Sequence, residues 1–112
     1  MSFSNVYKIS AHAIIQNAKG QILQLKQTYG NLRWGLPGGS PEKGESIDET
    51  LKRECIEELG IKIEICDLTG IYYHSEFNSY VFIFKCKAIE ENRISLSSEH
   101  SEYKYFSLKN SV

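Results

Sequence analysis

Residues 6–15 read VYKISAHAII, rich in strand-forming side chains, and a second run at 21–26 carries Ile22, Leu23 and Leu25 in partial alternation. The polar tetrapeptide Asn17-Ala18-Lys19-Gly20 between them predicts a turn, so the two runs are expected to form a hairpin. From residue 46 the period changes. Leu51, Cys55 and Leu59 recur every four positions, which at about 100° per residue draws one apolar stripe along a helix. Ser46, with Glu49 three residues on, supplies a capping box at its start, and Gly60 supplies the stop. Strand patterns return at 61–73 and 79–89 with a turn around Asn78, and a last strand is expected at 102–108 after the polar loop 95–101. One well-formed helix among hairpins, without regular strand–helix alternation, predicts an α+β domain on a mixed sheet.

The 112 residues fit one domain, 1–112. The longest uninterrupted apolar run, 80–84, is far short of the roughly 20 residues that cross a membrane, so no membrane span is expected. The start MSFSNVYKIS lacks the apolar centre of a secretory signal, and a cytoplasmic protein is expected. Cys55, Cys66 and Cys86 are odd in number and too widely spaced for a metal motif, which predicts three reduced, mostly buried thiols. His12, His74 and His100 form no metal-ligand pattern.

Charge is distributed unevenly. Residues 42–64 hold eight acidic side chains against four basic ones, a local balance of −4 in a chain whose net charge is −1. No extended nucleic-acid partner is expected, because no basic stripe appears. Asp48 with Lys52 and Glu49 with Arg53 stand at the spacing of helix-surface ion pairs. Glu54, Glu57 and Glu58 share an arc beside the apolar stripe, near the helix C-terminus, where a carboxylate is unfavourable by about 0.3–1 kcal/mol. At the 5–6 Å separating such neighbours, two unit charges repel by roughly 3 kcal/mol at an effective dielectric near 20. A hard divalent cation relieves all of these repulsions together. A solvated acidic face is the alternative for a helix edge taken alone. The preceding stretch, 28–45, contains five of the eight glycines and both prolines, and marks a structured loop leading into that edge.

Residues 39–61, GSPEKGESIDETLKRECIEELGI, resemble the signature of the Nudix hydrolases, of the MutT-like type: Gly39, Glu45, Arg53, Glu54, Ile56, Glu57, Glu58, Leu59, Gly60 and Ile61 all stand at its spacing. Cys55 alone departs, being smaller than the usual aliphatic residue, and WGLPGG at 34–39 also resembles the family's approach to the signature. The resemblance implies a Nudix fold, a mixed β-sheet sandwiched between helices, with the usual C-terminal helix short or absent in this chain. It implies hydrolysis of a nucleoside diphosphate linked to a variable group X, most simply a nucleoside triphosphate cut to monophosphate and pyrophosphate. The alternative is a nucleotide-binding regulator that keeps the fold without turnover. By position, Glu57, Glu58 and the Gly39 carbonyl would hold magnesium, with manganese a possible substitute. Glu54 would complete the metal set or activate water, Arg53 would orient it, and Glu45 would anchor the group from behind. Gly38 and Gly39 would let the backbone approach the substrate.

Family members often draw a fourth carboxylate from a loop near the last strand, for which Glu102 is the first choice and Glu99 the second. Lys26 is a candidate phosphate contact or an edge-strand lysine that discourages aggregation. Tyr7, Tyr29, Tyr72, Tyr73 and Phe77 are candidates to stack on a base or to cover the sheet. The expected partner is a small nucleotide, and the expected assembly a monomer or a homodimer.

Overall fold

The computed structural model describes residues 6–90 and 93–107. Strand β1 (Lys8–Ile15) organises the architecture, because both of its edges are paired. On one side it runs parallel to β6 (Ser79–Ala88) in unbroken register from Lys8–Ser79 to Ile15–Cys86. On the other, Ala11 and His12 pair antiparallel with Gly39 and Gly38 of the two-residue strand β4 (Gly38–Gly39). Strand β5 (Ile63–His74) completes a four-stranded mixed sheet in the order β4-β1-β6-β5.

Strand β2 (Ile22–Gln27) belongs elsewhere. It lies between β3 (Trp34–Gly35) and β7 (His100–Phe106) in a second, antiparallel sheet of three strands. The expected turn at 17–20 does form, with the Asn17 carboxamide oxygen accepting from the amides of Lys19 and Gln21 at 3.0 Å each. The expected hairpin does not extend beyond one bridge, Gln16 to Ile22. With β4 and β6 on its two edges, β1 has no free row of amides and carbonyls to offer β2. The short strands β3 and β4 both fall within 28–45, where the glycines and prolines predict only a structured loop.

Helix α1 (Ile47–Leu59) begins and ends as the sequence predicts. The Ser46 hydroxyl accepts from the Glu49 amide, the Glu49 carboxylate accepts from the Ser46 amide, and Gly60 at φ 69° closes the C-terminus. Leu51, Cys55 and Leu59 are fully buried. They join Ala11, Ala13 and Ile15 of β1, Leu23 and Leu25 of β2, and Phe84 and Cys86 of β6 in one core cluster. Ala11 and Ala13 leave room for the helix to lie close over β1, so the acidic border of α1 comes down beside β4.

The class is α+β with a mixed sheet, as expected. The described residues contain one α-helix, and a 3-10 turn, Ser75–Phe77, at the tip of the β5–β6 hairpin. Residues 108–112, on which the expectation about a C-terminal helix falls, lie outside the described residues. No helix among the described residues is long and apolar enough to cross a membrane. All three cysteines are free, as expected, and two of them, Cys55 and Cys86, are buried in the core while Cys66 is exposed. The register of β5 against β6 shifts between Ile65 and Asp67, just where Cys66 falls.

Leu51→Ala is expected to lower unfolding free energy by about 2–5 kcal/mol, because it opens a cavity in the core. Ile56→Ala on the exposed side of α1 should cost under about 1 kcal/mol. Equilibrium urea unfolding of the two variants checks the contrast, and equal losses would contradict the packing described.

Candidate active site

Four carboxylates converge on one guanidinium. Arg53 Nε and Nη2 donate to the two oxygens of Glu45 at 2.7 and 3.0 Å, a bidentate pair. Its Nη1 donates to Glu54 at 2.9 Å and to Glu57 at 3.1 Å, and lies 3.7 Å from Glu42. Nη2 also donates to the Ser40 carbonyl at 3.1 Å, tying the helix to the loop that follows Gly39. The expected surface pairs, Asp48–Lys52 and Glu49–Arg53, are not among the ion pairs of the described residues. Glu49 is engaged at the helix cap, and Arg53 turns inward, where four acids outweigh one.

Glu45 is fixed from several sides. It accepts from Arg53, from the Glu42 amide at 2.8 Å and from the Thr50 hydroxyl at 3.2 Å. Above all the Arg53 hydrogen bonds hold its carboxyl well below the usual range, at about 2. The same contacts push Arg53 upward.

Glu54 and Glu58 are in the opposite situation. Burial raises Glu54 against the pull of Arg53, and the charges of Glu57 and Glu99 add to the rise. Glu58 is more deeply placed, and burial first, then the negative charges of Glu54, Glu99 and Glu57, push it up to about 8. One hydrogen bond opposes this: the Gly38 amide donates to Glu58 Oε1 at 2.7 Å.

Two glycines make this packing possible. Gly38 sits at φ 149°, and a Cβ there would strike the Ala11 carbonyl and the His12 backbone. At Gly39 a Cβ would lie 2.5–2.7 Å from the Glu54 carboxylate, so the loop backbone and that acid occupy one another's space only because no side chain intervenes. The result is a cradle of carboxylate and backbone oxygens against β4. Among the described residues no three acids, histidines or cysteines are already gathered at metal-ligand spacing. Arg53 and the Gly38 amide hold the oxygens that a cation would take. The donors nevertheless suit a hard divalent ion: all are oxygens, and Glu58 is raised by burial and by the charges of the neighbouring acids, which a cation would offset. Glu54, Glu57, Glu58 and the Gly39 carbonyl are the residues that would hold it.

The loop before β7 and the first residue of that strand add two groups that the sequence ranked low or left out. Glu99 acts electrostatically on both Glu54 and Glu58, whereas Glu102 is paired with Lys26 across the β2–β7 ladder at 3.5 Å. The first choice for a fourth carboxylate is thus engaged on the sheet, and the second faces the acids. Lys26 is likewise engaged with Glu102, and because β2 is the central strand of its sheet, the expectation of an edge-strand lysine is not met. His100, given no role from sequence, places Nε2 3.9 Å from Glu58 Oε2, and its buried Nδ1 has no hydrogen-bond partner. No spacing rule connects residue 100 to residue 58; the β2–β7 pairing, with the Ser95 and Ser97 amides donating to the Leu59 and Glu58 carbonyls, brings them together.

This acid-edged helix, its glycine loop and the mixed sheet beneath them define the class to which the chain belongs, the Nudix hydrolases: the NUDIX domain profile matches residues 6–111. The chain is similar to the MutT protein of Methanosarcina mazei Go1, at 32% identity and a TM-score of 0.80, covering 96% of this chain and 82% of that one. It is 30% identical over 82 residues to a MutT-like protein of Streptomyces ambofaciens, covering 73% of this chain and 53% of that protein. With a putative 8-oxo-dGTP diphosphatase of Bacillus subtilis (strain 168) it shares 34% over 79 residues, covering 70% and 52%. The chain spans about half the length of these two curated relatives.

The pH dependence follows from Glu58. Its folded-state value near 8 lies above the ordinary carboxylate value near 4.5, so the folded protein holds that proton more tightly than the unfolded chain does. The resulting stabilisation is complete below about 4.5 and is lost as pH rises through about 8. Metal-free protein should lose this contribution over that window, and magnesium should raise Tm more at pH 8 than at pH 5. Glu58→Gln, melted beside the wild type, should remove both effects; identical pH profiles for the two proteins would refute the placement of Glu58.

Proposed function

We propose that the protein is a magnesium-dependent pyrophosphohydrolase of small nucleotides, cutting a nucleoside triphosphate to monophosphate and pyrophosphate. The observation that supports this most directly is the pairing of Glu54 and Glu58, both raised by burial, with glycine backbone that no side chain screens. A binder without turnover has no use for three carboxylates crowded on one edge at electrostatic cost. Relatives point the same way: their names include a putative 8-oxo-dGTP diphosphatase and RNA pyrophosphohydrolases.

A bound divalent ion supplies charge neutralisation for the phosphate oxygens and lowers the pKa of water. The chain supplies the rest. Glu57 and Glu58 would hold the ion with the Gly39 carbonyl, and Arg53, itself locked by Glu45, sets the angle of Glu54 and Glu57. Glu54 is the group we assign to take the proton from the attacking water, since burial raises it towards the working pH and Arg53 steers its carboxylate. Attack at phosphorus forms one P–O bond and breaks the anhydride P–O bond, and pyrophosphate leaves. Glu99 stands where a further carboxylate can share the ionic charge.

Incubation with a panel of nucleotides, with and without magnesium, and assay of phosphate and pyrophosphate tests the reading. Glu58→Gln is expected to lower turnover by at least about a hundredfold, and Arg53→Lys, which loses the bidentate clasp on Glu45, by about 10–100-fold. Absence of magnesium-dependent release from every nucleotide would instead favour the regulator.

A further inference from the structure

His100, the first residue of β7, is a polar ring in a nearly closed space: 9% of its side chain is exposed, against 10% for Glu58 beside it. Nε2 lies 3.9 Å from Glu58 Oε2, while Nδ1 is buried without a hydrogen-bond partner among the described residues. Burial holds the imidazole below its ordinary pKa, against the opposing pull of the Glu99 charge. A neutral imidazole has one proton to place on two nitrogens, and a polar N–H left alone inside a protein is costly. Glu58 is the acceptor within reach, so the geometry favours the tautomer that carries the proton on Nε2 and directs it at Oε2.

The backbone that carries this ring is tied on two sides. Toward β2, His100 pairs with Gln27 beside the register shift, and the Thr28 amide and hydroxyl donate to the Glu99 and Ser98 carbonyls at 3.0 Å each. Toward α1, the Ser97 amide donates to the Glu58 carbonyl at 3.4 Å, and the His100 amide donates to the Ser97 carbonyl at 3.2 Å. A strand and a helix thus hold the ring against Glu58. The other oxygen of that carboxyl is already gripped, because the Gly38 amide donates to Oε1 at 2.7 Å. At 3.9 Å the Nε2 contact is longer than a hydrogen bond, and a side-chain shift of about 1 Å closes it.

We propose that His100 is a positioning residue of the ion site: its Nε2–H and the Gly38 amide each hold one oxygen of Glu58 and orient the carboxylate for a divalent cation. An ionised carboxylate offers about two acceptor sites on each oxygen, so the two donors leave room for a bond to metal. Groups that hydrogen-bond the ligands of a metal fix their orientation, and ion affinity depends on them. The acidic edge then has two supports of separate origin. Glu45, through Arg53, steers Glu54 and Glu57, while His100 and Gly38 steer Glu58. The inference rests on the ion-dependent reading above and adds to it a group from the far end of the chain.

The metal-free protein gives the first readout. Long-range proton–nitrogen correlation spectra of the full chain at neutral pH, with the His100 signals identified by their loss in His100→Gln, should show Nε2 protonated and Nδ1 bare. A proton on Nδ1 with Nε2 bare would overturn the assignment. Ion affinity gives the second readout. Binding of Mn2+, followed by the paramagnetic resonance of the free ion, should weaken by about 10–100-fold in His100→Leu. His100→Gln, which keeps an N–H donor near the place of Nε2, should recover most of that loss. A role in packing alone predicts equal affinities or equal losses in the two variants; either result, or a wild type that binds no Mn2+, would overturn the inference. Should His100→Leu fail to fold, the tautomer in the wild type still decides. Ion binding that depends on His100, without hydrolysis of any nucleotide, would sink the hydrolase reading and leave His100 assigned. Hydrolysis by a protein whose His100→Leu variant binds Mn2+ as the wild type does would do the reverse.

Discussion

Arg53 is the constraint on which the site depends. Three glutamates on one helix edge repel each other and the helix carbonyl end, and the only cation within reach of Glu54 and Glu57 in the described structure is this guanidinium. A lysine offers a single point of charge, while arginine offers a planar fork. Two of its nitrogens are committed to Glu45, which leaves the third to serve the helix edge without rotating away. Glu45 thus acts on the chemistry from a distance: it fixes the arginine that fixes the acids.

The clasp works only because backbone and side chain share a narrow space. Gly38 donates its amide to Glu58, and Gly39 yields its Cβ volume to Glu54. Both glycines are held at their level by antiparallel pairing with Ala11 and His12 on β1. Strand β1 is in turn the buried member that packs beneath α1 through its small alanines. Core packing and site geometry are therefore one arrangement. A helix displaced from β1 would carry Glu54 and Glu58 away from the glycines together.

Local pattern made much of this legible in the sequence. The helix, its capping box and its glycine stop followed from side-chain periodicity and from residues at fixed offsets, because a helix satisfies its hydrogen bonds among near neighbours. The acidic edge followed likewise, since residues 54, 57 and 58 lie within one turn and a half whatever surrounds them. The surface ion pairs predicted for Asp48 and Glu49 did not form, for the complementary reason. Spacing shows which charges can meet, but the partner that wins is decided by everything within reach, and Glu45 reached Arg53 from outside the helix.

What the sequence determined by itself is the class of fold, the helix and the acids it carries, all products of short-range order. The tertiary structure alone decided where β2 goes, because the edges of β1 are taken by strands distant in the chain. It also decided that Glu99 faces the acids while Glu102 holds Lys26, and that His100 meets Glu58. Those outcomes depend on the register of strands separated by some seventy residues, and no local periodicity encodes which edge remains open for a strand to join.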